Sequence, residues 1–87
     1  MPWALVITKP AQRDLKSIGR NDLVRLNAAF ESMRADPYGV DIKFLKGTSG
    51  GLRRRVGSWR ILFDIDQVKR TVVILGIKRR TSITYRS

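Results

Sequence analysis

The chain contains no cysteine and no histidine. These residues are the usual zinc ligands, and cysteine alone forms disulfides, so a zinc site and a disulfide framework are both excluded. No cofactor is expected. The absence of cysteine also fits a reducing compartment. The apolar stretch at residues 1–7 is too short for a signal peptide or a membrane span, so we expect a cytoplasmic protein without a membrane partner.

Acidic residues are scarce as well. The chain has 7 Asp and Glu against 18 Lys and Arg, and its formal net charge is +11. Residues 1–42 hold six basic and five acidic residues, a net of +1, whereas residues 43–87 hold twelve and two, a net of +10. Such a field attracts polyanions by releasing their counterions. A nucleic acid is therefore the expected partner of the second half. A surface charged only for solubility would mix both signs.

The length of 87 residues suffices for one domain with a single small core, because two domains would each bury too little apolar surface to fold. A hydrophobic content of 43% is enough for such a core. We therefore expect residues 1–87 to form one domain.

The first half of the chain predicts a strand followed by two helices. Residues 3–7 are apolar and rich in β-forming side chains, which favours a strand. A helix is predicted to begin at Pro10 and to end at Gly19. A longer helix follows, with Asn21 as its predicted N-cap, and stops before Asp36. Its apolar residues recur every three or four positions and give one stripe: Leu23, Leu26, Phe30 and Met33.

The second half predicts strands. Residues 42–45 fit an edge strand or an extended lead-in. Residues 52–56, 59–66 and 71–78 fit three consecutive strands, the first two joined by a two-residue turn at 57–58. Consecutive strands joined by short turns form an antiparallel meander. The predicted fold class is α+β: an N-terminal strand and a helical hairpin packed on a three- to four-stranded antiparallel sheet.

Alternation along residues 59–66 separates the two faces of this sheet. The odd-numbered residues are apolar and should meet the helices. Trp59 is one of them, so it is expected in the core, and stacking on an RNA base is the alternative role. The opposite face must then carry the arginines.

Alternation also sorts the basic residues. Arg53 and Arg55 point the same way in a strand, while Arg54 points oppositely. Antiparallel pairing brings the ends of neighbouring strands together, so we expect one basic cleft with cations from three strands: Arg53, Arg55, Arg60 and one or two of Lys78, Arg79 and Arg80. A solvated sheet edge is the alternative. Tyr85 can exchange protons in such a cleft, and packing is its alternative role.

Three segments carry a family resemblance: Leu45-Lys46-Gly47, then LRRRVGSWRILFDID at residues 52–66, then VVILGIKRRTSITYR at residues 72–86. Together with the N-terminal strand and helical hairpin, they resemble toxins of the RelE/ParE superfamily from type II toxin–antitoxin modules over nearly the whole chain. The resemblance implies a RelE-like fold similar to a microbial ribonuclease. In the nuclease branch of the family, it also implies ribosome-dependent cleavage of messenger RNA.

The resemblance further implies roles for particular residues. Arg60 corresponds to the arginine that contacts the scissile phosphate, Arg79 to an arginine near the end of the last strand, and Tyr85 to the C-terminal tyrosine. These three are the expected catalytic residues. The expected RNA-binding residues are Lys46, Arg53, Arg55, Lys78 and Arg80. Arginine stays protonated and is a poor base, so the arginines at positions 53 and 55, where relatives sometimes have lysine, depart from the family pattern.

The implied reaction is a metal-independent transesterification, in which the ribose 2′-hydroxyl attacks its neighbouring phosphate and expels the 5′-oxygen. Arg60 and Arg79 would hold the charge on the phosphate, and either Tyr85 or Lys78 would move the protons. The implied partners are mRNA, the ribosome at its 30S A site, and a cognate acidic antitoxin. Two alternatives stay open: a ParE-type inhibitor of DNA gyrase with the same fold, and a non-catalytic nucleic-acid-binding module.

Overall fold

The computed structural model describes residues 2–38, 42–44 and 52–79, which form an α+β fold as the sequence predicts. In chain order the elements are β1 (Ala4–Ile7), α1 (Lys9–Lys16), α2 (Arg20–Ala35), β2 (Ile42–Phe44), β3 (Leu52–Val56), β4 (Trp59–Asp66) and β5 (Thr71–Arg79). Neither helix of this described part is long and apolar enough to cross a membrane.

The strands form one sheet in the order β1-β5-β4-β3-β2. The predicted antiparallel arrangement is confirmed for β2 to β5. β1 adds a fifth strand, which pairs in parallel with β5 from Ala4 opposite Thr71 to Ile7 opposite Ile74. Parallel neighbouring strands need a long crossover connection, and the connection from β1 to β5 includes both helices. The sequence predicts β1 but not its partner, because the two strands lie far apart in the chain.

The two helices lie where they were predicted, with changes at three boundaries. α1 begins at Lys9, one residue before the predicted Pro10, and ends at Lys16 and not at Gly19, because the Ser17 and Ile18 N–H groups donate to carbonyl oxygens three residues back. α1 has Pro10 in its first turn, as predicted. The prediction of Asn21 as an N-cap is wrong: α2 begins at Arg20, and Gly19 is its N-cap. Gly19 is extended, and its carbonyl oxygen accepts a hydrogen bond from the Leu23 N–H at 2.9 Å, so the first helical turn starts there.

Both helices pack on one face of the sheet and form the core there. Side chains of α2, β4 and β5 are fully shielded from solvent: Leu26, Met33, Ile61, Phe63, Val72 and Ile74. Trp59 is half-buried and packs against this cluster, which confirms its expected place in the core. In the described residues no helix covers the opposite face of the sheet, which we call the open face.

A β-bulge in β5 decides which residues reach the open face. The register opposite β4 shifts between Leu62 and Phe63, which leaves Leu75 as an extra residue in β5. Ile74 lies in the core before the bulge and Ile77 lies in the core after it, three residues later instead of two. The bulge therefore reverses the alternation, so the last residues of β5 face opposite to the direction that a regular strand would give.

Candidate nucleic-acid interface

Three cations lie side by side on the open face, one from each of β3, β4 and β5. Arg55 is directly opposite Arg60, and Arg60 is directly opposite Lys78. Directly opposed residues of antiparallel strands project to the same face, with Cβ atoms about 4.5–5.5 Å apart. We call Arg55, Arg60 and Lys78 the cationic row. The expected convergence of basic residues from three strands is thus observed.

Arg53 extends the basic surface along β3. It stands two residues before Arg55 and opposite Leu62, so it also projects to the open face. Gly76 is the next residue across the sheet, on β5, and the Lys78 side chain lies over it. The structure therefore brings four of the expected site residues to one surface: Arg53, Arg55, Arg60 and Lys78.

Arg54 projects to the covered face, as its position between Arg53 and Arg55 predicts. It is opposite Ile61, and its Nη1 donates a hydrogen bond to Ser32 Oγ on α2 at 3.3 Å. Its Nε is buried and has no hydrogen-bond partner in the described part of the chain. Arg54 therefore packs beneath α2 and does not join the open face.

Arg79, expected beside Arg60, lies on the other face of the sheet. It is opposite Trp59, and its guanidinium carbon is 5.0 Å from the centre of the Trp59 ring. A cation at this distance over an indole is attracted by the electrons of the ring. The bulge explains the difference, because it turns Lys78 and not Arg79 toward the open face. The sequence left open which of residues 78–80 enter the cleft, and of the two that the structure describes, Lys78 and Arg79, the register places Lys78 there.

Three further residues of the expected site lie outside the described residues: Lys46, Arg80 and Tyr85. The part of the site that can be described is therefore the basic surface on β3, β4 and β5.

Little negative charge compensates the cationic row. Within the described ranges the row forms one ion pair, in which Asp14 Oδ2 on α1 lies 3.3 Å from Lys78 Nζ. Arg55 and Arg60 form no salt bridge with any residue of those ranges. Like charges directly opposite each other destabilise a sheet, so a bound anion would relieve the repulsion. Arg55 is exposed and Arg60 is half-buried, and guanidinium groups bind phosphate through paired hydrogen bonds.

Two residues near the cationic row were missed by the sequence analysis. Asp14 is an isolated acidic residue on a helix whose last turn carries the basic residues Arg13 and Lys16. This contrast of charge is a usable signal, but nothing local in the sequence connects Asp14 with Lys78. Gly76 could be recognised only from the register of β5, because its importance comes from the residues opposite and beside it.

A family model matches most of this chain. The model is described as ParE toxin of type II toxin-antitoxin system, parDE, and it covers residues 5–83. Among individual proteins, the toxin RelG of Mycobacterium tuberculosis is 31% identical over 84 residues. The matched region spans 95% of this chain and 97% of that toxin. The similarity therefore extends over nearly the whole of both proteins.

Solved structures of toxins from this kind of system have the same fold as this chain. A chain of the toxin–antitoxin complex RelBE2 from Mycobacterium tuberculosis superposes with a TM-score of 0.82 at 30% identity, covering 92% of this chain and 100% of that chain. A chain of the archaeal RelE–RelB complex from Pyrococcus horikoshii also gives a TM-score of 0.82, at 22% identity, covering 95% of this chain and 100% of that chain. At the lower identity, the likeness shows that the fold is shared.

Proposed function

This chain belongs to the ParE and RelE family of toxins from type II toxin–antitoxin systems, and on that premise we propose that it is an endoribonuclease that cleaves messenger RNA on the ribosome. The cleavage would inhibit translation. The observation that carries the proposal is the cationic row, in which three cations from three strands face one surface and, within the described residues, only Lys78 is paired with a carboxylate.

Cleavage of RNA without a metal needs positive charge where the phosphate gains negative charge. In the proposed reaction the ribose 2′-hydroxyl attacks the adjacent phosphorus, the bond from phosphorus to the 5′-oxygen breaks, and a cyclic phosphate forms. A base takes the proton of the 2′-hydroxyl, and an acid returns a proton to the 5′-oxygen. Arginines held by a sheet can stabilise the charge on the phosphorane without rearranging during the reaction.

Arg60 is the proposed contact to the scissile phosphate, because it is the central member of the cationic row and has a cation on either side. Arg55 and Arg53 would hold neighbouring phosphates along β3. Lys78 would bind the scissile phosphate together with Arg60 or move one of the two protons. Tyr85 is the other proposed proton carrier.

Arg79 is proposed to contact a neighbouring nucleotide and not the scissile phosphate. Its guanidinium lies against Trp59 on the face opposite the cationic row, at the end of β5. RNA that crosses the end of the sheet could meet both faces there. Lys46 and Arg80 are proposed as further contacts to the RNA backbone.

The acid–base groups of this chain are few, and this favours a reaction on the ribosome. One well-tuned acid or base contributes about 10²–10⁴-fold to a rate, and the chain has no histidine to supply it. Alignment of the reacting groups can contribute more, with effective molarities of about 10⁵–10⁸ M. A ribosome that holds mRNA in its A site would provide this alignment.

An acidic antitoxin is the proposed protein partner. The solved complexes from Mycobacterium tuberculosis and Pyrococcus horikoshii are toxin–antitoxin complexes. In this chain residues 43–87 carry a net charge of +10, and the arginines of the cationic row lack carboxylate partners in the described ranges. A segment of opposite charge that folds as it binds would complement this surface.

Inhibition of DNA gyrase is the second candidate function. It is favoured by the description of the matching family model, which is that of a ParE toxin. Gyrase inhibition would need no contact between the cationic row and a scissile phosphate, so the two candidates differ in what they require of Arg60.

Mapping of cellular transcripts by primer extension tests the proposal. We expect expression of the protein to produce breaks within translated codons, and we expect these breaks to disappear when initiation of translation is blocked or when Arg60→Gln is expressed. Intact transcripts together with a loss of DNA supercoiling by purified gyrase would establish the gyrase inhibitor instead. Intact transcripts with normal supercoiling would leave only a nucleic-acid-binding module.

A further inference from the structure

The outer edge of β5 changes its neighbour along its length. β1 pairs with β5 only as far as Ile74, where both the backbone N–H and the hydroxyl of Thr8 donate to the Ile74 carbonyl oxygen, at 3.1 and 2.8 Å. Beyond this point β1 has ended. The next backbone N–H on that edge with a described partner belongs to Ile77, and it donates to Asp14 Oδ2 at 2.9 Å. A side chain of α1 thus continues the hydrogen bonding of the strand edge.

The same carboxylate oxygen also contacts the cationic row. Asp14 Oδ2 lies 3.3 Å from Lys78 Nζ, so one oxygen holds both the backbone of β5 and the head group of Lys78. The Asp14 side chain is 24% exposed, whereas the Lys78 side chain is 58% exposed. The contact therefore joins a largely covered anion to a cation that still faces solvent.

Gly76 makes this arrangement possible. A Cβ atom at this position would lie 3.3 Å from Asp14 Oδ2 and 3.5 Å from Lys78 Cε. The first distance is tighter than an ordinary contact, so the carboxylate would have to shift by a few tenths of an ångström to admit an alanine. The lysine side chain crosses the space that Gly76 leaves open and reaches α1.

We propose that Asp14 is a positioning residue of the toxin: it fixes the end of β5 and holds the Lys78 amine at the edge of the cationic row. The inference deepens the proposed cleavage of RNA and rests on it. Asp14 needs no contact with RNA, because it acts through Lys78. Without the carboxylate the flexible lysine would be free to leave the surface of the sheet. Asp14 lies at the outer edge of β5, on the side away from Arg60, and fixes the amine beside Gly76 while leaving the row positive.

A double-mutant cycle tests the link between Asp14 and Lys78. Asp14→Asn keeps an oxygen for the Ile77 N–H but removes the charge that attracts Lys78. We expect it to lower the rate constant for RNA cleavage about tenfold, while RNA affinity stays equal or rises because the protein gains positive charge. In the Lys78→Gln background, Asp14→Asn should have almost no further effect. Equal losses in both backgrounds would overturn the inference.

Glu31→Gln is the matched control. Glu31 pairs with Arg34 at 3.5 Å on α2, away from the cationic row, and the change removes the same charge from a comparable ion pair. It should leave the cleavage rate and its dependence on Lys78 unchanged. A loss as large as that of Asp14→Asn would mean that carboxylates act only through overall stability or charge.

A measurement without catalysis separates this inference from the proposed function. Hydrogen exchange of the Ile77 amide should be at least about tenfold faster in Asp14→Ala than in the wild type, largely retained in Asp14→Asn, and unchanged in Glu31→Gln. Gly76→Ala should also speed exchange at Ile77, because its Cβ displaces the carboxylate. If the wild type cuts no RNA, the proposed function fails, and exchange still decides the inference. Unchanged exchange at Ile77 in Asp14→Ala would refute it.

Discussion

Adjacent arginines of β3 have the same chemistry and opposite surroundings. Arg53 and Arg55 project to the open face, whereas Arg54 lies beneath α2, with one nitrogen buried and another bonded to Ser32. Side-chain type and charge are identical in all three, so the alternation of the strand alone separates them. The open face therefore leaves its arginines available to a ligand, whereas the covered face uses the same side chain in packing.

At the end of β5 two adjacent cations also project to opposite faces of the sheet, but here a β-bulge determines which face each one takes. Lys78 belongs to the cationic row, and Arg79 packs on Trp59 on the other face. Regular alternation from the buried Ile74 would place position 78 on the covered face and position 79 on the open face. The bulge at Leu75 exchanges them. In β5, therefore, a single irregularity of the backbone decides which cation lies on the open face.

The greatest loss of stability is expected from a change on the covered face. Phe63 is fully buried, so Phe63→Ala should lower the free energy of unfolding by about 3–5 kcal/mol and destroy activity only by unfolding the protein. Denaturant titration followed by circular dichroism measures the loss. Leu62→Ala, the neighbouring change on the open face, should cost much less. Similar losses for the two would contradict the division into a covered and an open face.

The second effect concerns the centre of the cationic row. Arg60→Gln should slow RNA cleavage by about 10²–10³-fold, because one preorganised contact to the charged phosphate is lost. Its stability should be unchanged or slightly higher, since Arg60 faces a like charge on both sides. Cleavage assays on translating ribosomes and thermal unfolding give the two values. Normal cleavage by a folded Arg60→Gln variant would show that the cationic row is not part of the catalytic site.

A smaller effect compares neighbouring arginines directly. Arg55→Met should weaken binding of single-stranded RNA about tenfold without changing stability. Arg54→Met should leave RNA affinity nearly unchanged and leave stability equal or raised, because it removes a buried Nε that lacks a partner in the described residues. Fluorescence anisotropy with a labelled RNA and thermal unfolding measure both. Equal losses of affinity would mean that total charge, and not the face, determines binding.

Replacement of Arg79 should change stability and RNA cleavage least. Arg79→Gln removes the cation over Trp59, which should cost about 0.5–1 kcal/mol of stability. RNA cleavage should fall much less than in Arg60→Gln. Lys69→Gln, an equal change of charge at an exposed turn position, is the control and should leave stability unchanged. A loss of cleavage as large as that of Arg60→Gln would place Arg79 at the scissile phosphate after all.

Local patterns in the sequence predicted most of the elements and one face of the sheet. The alternation from Trp59 to Ile65 correctly assigned the covered face. The turn at 57–58 was also predicted correctly: Gly57 has a φ of +58°, a conformation that favours glycine, so the glycine itself indicated the turn. These features depend on neighbours in the chain, so a single sequence contains them. The opposite directions of Arg54 and its neighbours followed from the same rule.

The remaining features depend on residues that are distant in the chain. The parallel pairing of β1 with β5 joins strands from the two ends of the described chain, and no local pattern specifies it. The bulge at Leu75 follows no simple sequence rule, so Lys78 and Arg79 could not be told apart. The contact of Asp14 with Ile77 exists only once α1 lies against β5. Local alternation therefore predicted most of the cations of the site. Their final arrangement at the end of β5 depends on contacts between distant parts of the chain.

The dependence of RNA affinity on salt tests most directly whether the open face binds the RNA backbone. Each phosphate contact to single-stranded RNA contributes about 0.7 to the slope of log affinity against log salt concentration. Replacing Arg55, Arg60 and Lys78 with glutamine should therefore reduce the slope by about 2. An equal change of charge on the helices, with glutamine at the exposed Arg13, Arg20 and Arg25, should leave the slope unchanged. The same reduction in both triple variants, or in neither, would contradict binding at the cationic row.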